Sequence, residues 1–199
     1  MILTGKEDLR VIKTIESIKS SFEEMICEMD YEEMTVKELC QRARLNKKTF
    51  YHYYDSLDAL LGELQMELTT AYLKRIEGLV LPDDLEQVNR EFLTYSVSQG
   101  KAYEKITCSG SYNAIRIEMT EQIKAETWAK SKQFGTLDRR YQNILIRFIN
   151  NSAVGIYRQW VEDGKQLSLE ELIQVTNALV CRGTEGLLRR IGYLPGKES

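Results

Sequence analysis

The chain has 199 residues, of which 43% are hydrophobic and 29% are charged, and its formal net charge is −3. Such a length suits one medium domain or two small ones, and its composition excludes wholesale disorder. No apolar run reaches the roughly 18 residues that would span a bilayer, and the start MILTGKEDLR lacks the apolar region of a signal peptide. We therefore expect a soluble cytoplasmic protein with no membrane segment.

The cysteines and the histidine argue against the common metal and catalytic sites. Cys27, Cys40, Cys108 and Cys181 form no CxxC pair, and His52 is the only histidine. A zinc site needs clustered ligands, and nucleophilic catalysis needs a base beside the nucleophile. We expect reduced thiols, no metal, no cofactor and no enzymatic activity. The alternative of an enzyme with an all-helical cleft lacks a catalytic constellation and a Gly-rich phosphate loop.

The charges are segregated along the amino-terminal part of the chain. From Arg42 to His52 the sequence reads RARLNKKTFYH, which contains four cations and no acid. The acids come just before it, at Glu23, Glu24, Glu28, Asp30, Glu32 and Glu33. A negative net charge therefore does not exclude a nucleic-acid partner.

Apolar residues recur at three- and four-residue spacing, which predicts an all-α protein. A first helix is expected from about residue 8 to residue 29. A second begins after Thr35, which forms a capping-box pattern with Glu38. A third runs from Lys47 to about Tyr54 after the N-cap Asn46, and Ser56 caps a long fourth helix.

The rest of the chain is expected to be helical as well. The predicted helices cover residues 84–99, 101–108, 112–132, 139–163 and 168–190, with Ser168 and Glu171 as a second capping box. We interpret residues 1–56 as a three-helix amino-terminal domain and residues 57–199 as a helical bundle for ligand binding and dimerisation.

Two short helices joined by a three-residue turn, the second opening with cations, describe a helix-turn-helix. The polar face would comprise Lys47, Lys48, Thr49, Tyr51, His52 and Tyr53, and the buried face Leu45, Phe50 and Tyr54. A basic helix face can also be an ordinary solvated one, and Tyr51 and Tyr53 could be core aromatics. Because they stand at i and i+2, at least one of the two should be exposed.

The segment NKKTFYHYYDSLDALL resembles the recognition-helix signature of the TetR/AcrR transcriptional regulators, MTVKELCQRARL their second helix, and LRVIKTIESIKSSFEEMI their first. The resemblance covers about residues 8–62 and implies a dimeric, all-helical, ligand-responsive protein that binds double-stranded DNA. Farther on, RFINNSAVGIYRQWVEDGKQLSLEEL is similar to the subgroup that regulates dihydroxyacetone kinase operons.

The resemblance also implies which residues contact DNA: Thr35, Lys37, Arg44, Asn46, Lys47, Lys48, Thr49, Tyr51, His52 and Tyr53. Arg44 stands where the family usually has a turn glycine. It is therefore expected to be left-handed at a cost of roughly 1 kcal/mol, or to supply an extra phosphate contact. Leu57 replaces a common phosphate-binding lysine, and Asp55 is acidic, so non-specific affinity should be lower than usual.

The last two predicted helices carry apolar residues on more than one side, which predicts both a core and an outside partner. The resemblance implies that they form a homodimer interface; the alternative is that both are central in a monomer. It also implies a small-molecule pocket among helices four to eight. Tyr95, Tyr103, Tyr112, Met119, Trp128 and Phe134 lie there but are more typical of plain core, so no ligand residue is assigned.

The predicted function is a homodimeric regulator of transcription, acting as a repressor at a palindromic operator under the control of an unknown small ligand or partner. One alternative is an activator that works with a coactivator protein. Another is an interaction module that keeps the fold but has lost DNA binding.

Overall fold

A computed structural model describes residues 8–128, 131 and 134–192, and it confirms the all-α prediction. Over these residues it contains no strand. Its helices are α1 Leu9–Glu28, α2 Val36–Arg42, α3 Lys47–Tyr53, α4 Leu57–Arg75, α5 Leu85–Ser98, α6 Lys101–Cys108, α7 Asn113–Thr127, α8 Arg139–Glu162 and α9 Leu169–Arg190. The predicted end of the seventh helix, at residue 132, lies outside the described residues.

The helix starts lie where the sequence places capping side chains. The Asn46 carboxamide oxygen accepts the Thr49 N–H at 2.8 Å, and the Ser56 hydroxyl accepts the Ala59 N–H at 3.1 Å. Ser168 forms a complete capping box with the third residue of α9. Because the first N–H groups of a helix have no partner within the helix, each of these side chains fixes a start point.

The predicted capping box of α2 forms only in part. Thr35 accepts the Glu38 N–H at 3.2 Å, as expected. The Glu38 carboxylate instead binds the Arg42 guanidinium, one turn along the same helix, at 2.8 Å. A full positive charge within reach is a stronger partner than a backbone amide.

The helices belong to two compact units, and the first comprises the chain up to Thr70 together with Gln99–Met119. Its core draws on the first four helices and on α6. The buried members are Ile18, Phe22, Met25, Ile26, Met34, Leu39, Cys40, Phe50, Tyr54, Leu60, Leu61, Ile106 and Tyr112. The short helices α2 and α3 are therefore held by tertiary packing, since seven-residue helices are marginal on their own.

The second unit comprises Ala71–Ser98 and the chain from Thr120 onward. Its core contains Leu81, Leu85, Val88, Trp128, Phe134, Leu145, Ile146, Ile149, Val180 and Leu188. Of the aromatic residues singled out for a pocket, Tyr112 is in the first core and Trp128 and Phe134 are in the second. They do not form one cluster. The predicted boundary at residues 56 and 57 stays a prediction.

The helices α8 and α9 have an apolar face that the described chain leaves uncovered. Ile144 is 58% exposed and Leu179 is 60% exposed, and Phe148 and Val175 are also exposed. A Cβ atom at Gly183 would lie 3.3 Å from the Phe148 ring, so glycine leaves room for that ring against α9. The same helices bury Leu145, Tyr157, Leu172 and Val180 on their other side, which confirms the prediction that both are apolar on more than one side.

Within the described ranges, no helix combines the length and the hydropathy that crossing a membrane requires.

Candidate nucleic-acid interface

The turn between α2 and α3 is short, since only Ala43–Asn46 separate the two helices. The Ala43 N–H donates to the Leu39 carbonyl at 2.9 Å, and the Leu45 N–H donates to the Cys40 carbonyl at 3.0 Å. Arg44 lies between them with a φ of 55°. The predicted left-handed conformation is thus confirmed, with its cost of about 1 kcal/mol for a side chain that has a Cβ.

The inner face of α3 is apolar and fully buried. Phe50 is 0% exposed and Tyr54 is 3% exposed, with their ring centroids 5.9 Å apart. Leu45 and Tyr53 are half-buried against the same core. Tyr53, which the sequence places on the polar face, therefore lies at the edge between the two faces.

The outer face of α3 is defined here as Asn46, Lys47, Lys48, Thr49, Tyr51 and His52, and all of these are exposed except Thr49, which is half-buried. Tyr51 is 52% exposed, as the i and i+2 argument requires of at least one of the two tyrosines. With Tyr53, five of these residues line an open concavity of about 740 Å³; Lys47 is the member outside it. A polar, exposed helix face with an apolar underside is what insertion into a DNA groove needs.

Two of the predicted DNA contacts already take part in helix capping. The Asn46 Oδ1 atom accepts both the Thr49 N–H and the Thr49 hydroxyl, at 2.8 and 3.1 Å. Thr35 likewise accepts the Glu38 N–H. The groups that remain for DNA are the Asn46 amide nitrogen and the Thr35 hydroxyl proton, both of which are donors suited to phosphate or base acceptors.

The cations near α3 differ in their availability. Lys37, Arg44, Lys47 and Lys48 are exposed, and none of them forms an ion pair within the part of the chain that the structure describes. Arg42 is bound by Glu28 at 2.6 Å and by Glu38 at 2.8 Å, and hydrogen bonds to these carboxylates raise its pKa. Of the four cations between Arg42 and His52, three therefore face solvent without a protein partner.

The residues that depart from the family pattern lie beside α3. Asp55 is exposed, so its charge can oppose an approaching phosphate. Leu57 is half-buried against the core of the first unit. That position therefore serves packing in this chain.

A polar contact of Tyr54, the residue that follows α3, is not predicted by the sequence analysis. The Tyr54 hydroxyl donates to Glu63 at 3.2 Å, and Glu63 also binds Lys19 at 2.8 Å. No local pattern indicates this contact, because its members come from α1, from α4 and from the residue that follows α3.

Comparison with known proteins agrees with this geometry. Residues 23–64 match the family described as "Bacterial regulatory proteins, tetR family", a segment that contains α2 and α3 with the turn between them. No curated protein matches the chain in sequence.

Solved structures have the same fold at low sequence identity. A TetR transcriptional regulator from Streptococcus agalactiae 2603V has a TM-score of 0.69 at 18% identity, covering 86% of this chain and 95% of that one. The fatty acid degradation regulator FadR from Bacillus halodurans has a TM-score of 0.62 at 14% identity, covering 88% and 96%.

The dihydroxyacetone kinase operon activator DhaS has a TM-score of 0.51 at 18% identity, covering 87% of this chain and 97% of that one. At these identities the solved structures show the fold alone. Together with the match of residues 23–64 to the tetR family, they show that the chain has the all-helical fold of these regulators, with an amino-terminal segment that resembles their helix-turn-helix.

Proposed function

We propose that the chain is a homodimeric repressor that binds a palindromic operator in double-stranded DNA and is released by a small ligand or a partner. The observation that carries the proposal is the two-sided α3. Its inner face is locked into the core by Phe50 and Tyr54, and its outer face presents cations, hydroxyls and an imidazole to solvent.

The chemistry of the outer face suits duplex DNA. Lys47 and Lys48 at the start of α3, with Lys37 and Arg44 nearby, would neutralise phosphates and release counterions. Thr49, Tyr51 and His52 can donate hydrogen bonds to phosphate oxygens, and they can donate to and accept from base edges. A seven-residue helix whose amino end faces outward can enter a major groove about 12 Å wide.

The uncovered face of α8 and α9 supports a dimer. Exposed apolar side chains that adjoin one another usually mark an interaction surface. A symmetric pair of chains would cover Ile144, Phe148, Val175 and Leu179 with their own copies. Such a dimer would place two α3 helices on half-sites about 34–36 Å apart, which is one turn of DNA.

DNA binding is tested by the salt dependence of affinity. A duplex selected by the protein from a random 20-bp library serves as the probe, and its affinity is measured between 50 and 200 mM salt. We expect a steep fall with salt, and Lys48→Ala should reduce the slope of log affinity against log salt by about one for each protomer.

Lys13→Ala is the matched control, because Lys13 is an exposed lysine of α1 outside the proposed interface. It should leave the slope unchanged. A wild-type affinity that does not depend on salt, or equal effects of the two substitutions, would contradict the proposal and favour an interaction module without DNA binding.

A reporter gene distinguishes repression from activation. With the selected duplex placed across a promoter, repression lowers reporter output when the protein is expressed. An increase that needs a second host protein would instead identify an activator with a coactivator.

A further inference from the structure

A buried carboxylate of the first unit lies between α1 and the residue that ends α3. The Glu63 side chain of α4 is only 8% exposed. Its Oε1 atom lies 2.8 Å from the Lys19 ammonium of α1, and it accepts a hydrogen bond at 3.2 Å from the Tyr54 hydroxyl that follows α3. Burying a carboxylate is costly unless charges and hydrogen bonds replace its water, and these two donors do so.

Tyr54 connects this carboxylate to α3. Its N–H donates to the Phe50 carbonyl at 3.0 Å, which closes the helix, and its ring packs against the Phe50 ring. Burial, with a smaller contribution from Glu67, raises the pKa of Tyr54 to about 12. The hydroxyl is therefore protonated at neutral pH and is able to donate to Glu63.

The link between α1 and α4 does not depend on Glu63 alone. The Lys19 ammonium also binds Glu67, one turn further along α4, at 2.5 Å. A change at Glu63 therefore leaves one ion pair between α1 and α4. The same change removes the contact to Tyr54, just after the end of α3.

A helix of seven residues needs an external contact to fix its rotation about its own axis. The apolar packing of Phe50 and Tyr54 holds α3 against the core but is not directional. A hydrogen bond is directional, so the contact from the Tyr54 hydroxyl to Glu63, although long at 3.2 Å, can define an orientation. Base recognition depends on this orientation, whereas phosphate contacts through long lysine side chains tolerate small rotations.

We propose that Glu63 is a positioning residue for base recognition, which fixes the orientation of α3 by accepting the Tyr54 hydroxyl while it is itself held by the Lys19 ammonium. This inference rests on the proposed DNA-binding function. It assigns to a buried residue of α4 a role in discriminating between sequences, and the role acts through Tyr54 without any contact between Glu63 and DNA.

The test compares Tyr54→Phe, Glu63→Met, Glu63→Gln and the double variant Tyr54→Phe/Glu63→Met. The measured quantity is the ratio of affinities for the library-selected duplex and for a shuffled duplex of equal length. Each of the first two single variants should lower this ratio about tenfold, the scale of one hydrogen bond to a charged group. Glu63→Gln should stay within about threefold of wild type, because its amide oxygen still accepts from Tyr54.

The double variant should lower the ratio no further than either single variant, since both remove the same contact. Affinity for the shuffled duplex and its salt dependence should stay within twofold of wild type. Tyr72→Phe is the control, since it removes a buried tyrosine hydroxyl that donates to the Val88 carbonyl in the second unit. It should leave the ratio unchanged.

A ratio that Tyr54→Phe does not change, an equal loss of affinity for both duplexes, or additive losses in the double variant would overturn the inference. Equal losses would mean that Glu63 serves folding only, and a fall in Tm larger than that of Tyr72→Phe would accompany them. A wild-type protein that binds neither duplex would overturn the proposed function itself, and this inference with it.

Discussion

Arg44 adopts a backbone conformation that glycine reaches at lower cost. Its φ of 55° lies in the left-handed region, where a Cβ atom crowds the following carbonyl oxygen. The sequence allowed this prediction because Arg44 stands where the family that the segment resembles usually has a turn glycine. An arginine at such a site trades stability for a charge near the proposed DNA surface.

Replacing Arg44 with glycine or with alanine separates the effect of the left-handed backbone from the effect of the charge. Arg44→Gly should raise the free energy of unfolding by about 0.5–1 kcal/mol, since relief of strain exceeds the extra freedom of glycine in the unfolded chain. Urea denaturation measures the change. Arg44→Ala removes the same charge without relieving the strain, so the gain should be absent there. Equal stabilities of the two variants would contradict the argument.

At the scale of whole helices, the sequence predicts the starts well and the partners of side chains less well. Asn46, Ser56 and Ser168 cap helices as expected, because capping depends on residues only three positions apart. Glu38 departs from its expected role because Arg42 lies one turn away. The contact of Glu63 with Lys19 and Tyr54 could not be predicted, since the partners are distant in sequence and no periodicity relates them.

Thr35 should affect both the stability of α2 and DNA binding. Thr35→Ala removes the cap of the Glu38 N–H and should cost about 1 kcal/mol of stability. It should also weaken binding to the selected duplex, because the hydroxyl that would reach a phosphate is lost. Thermal unfolding and fluorescence anisotropy measure the two effects.

Thr35→Ser keeps the hydroxyl and is the control for both measurements. It should restore stability and DNA affinity together. A variant that regains stability but not affinity would mean that the Thr35 methyl group, not its hydroxyl, matters for DNA.

At the scale of the whole molecule, the exposed apolar face of α8 and α9 determines the expected assembly. Val175 on α9 is 43% exposed, and Val97 on α5 is 39% exposed. Because their exposure is similar, a substitution at Val97 serves as the control for the same substitution at Val175. Val175→Asp should place a charge inside the proposed dimer interface and yield monomers. Analytical ultracentrifugation should detect them, and binding to the selected duplex should fall by at least tenfold.

Val97→Asp should stay dimeric and bind DNA like wild type. Dimers that persist in Val175→Asp, or monomers in both variants, would exclude α8 and α9 as the interface. The sequence indicated this face because two helices carried more apolar residues than one core accepts. The sequence could not indicate that α6 packs in the first unit. Amphipathic spacing identifies the inner face of a helix but not the helices against which that face packs.

The composition of the first unit has a consequence for the order in which the protein folds during synthesis. Its core is completed by Ile106 and Tyr112, which follow α3 by more than fifty positions in the chain. The ribosome must therefore release residues 99–119 before the core that holds α2 and α3 is complete. A nascent chain halted at residue 70 would leave part of this core open to water, and chaperones bind such exposed apolar surfaces.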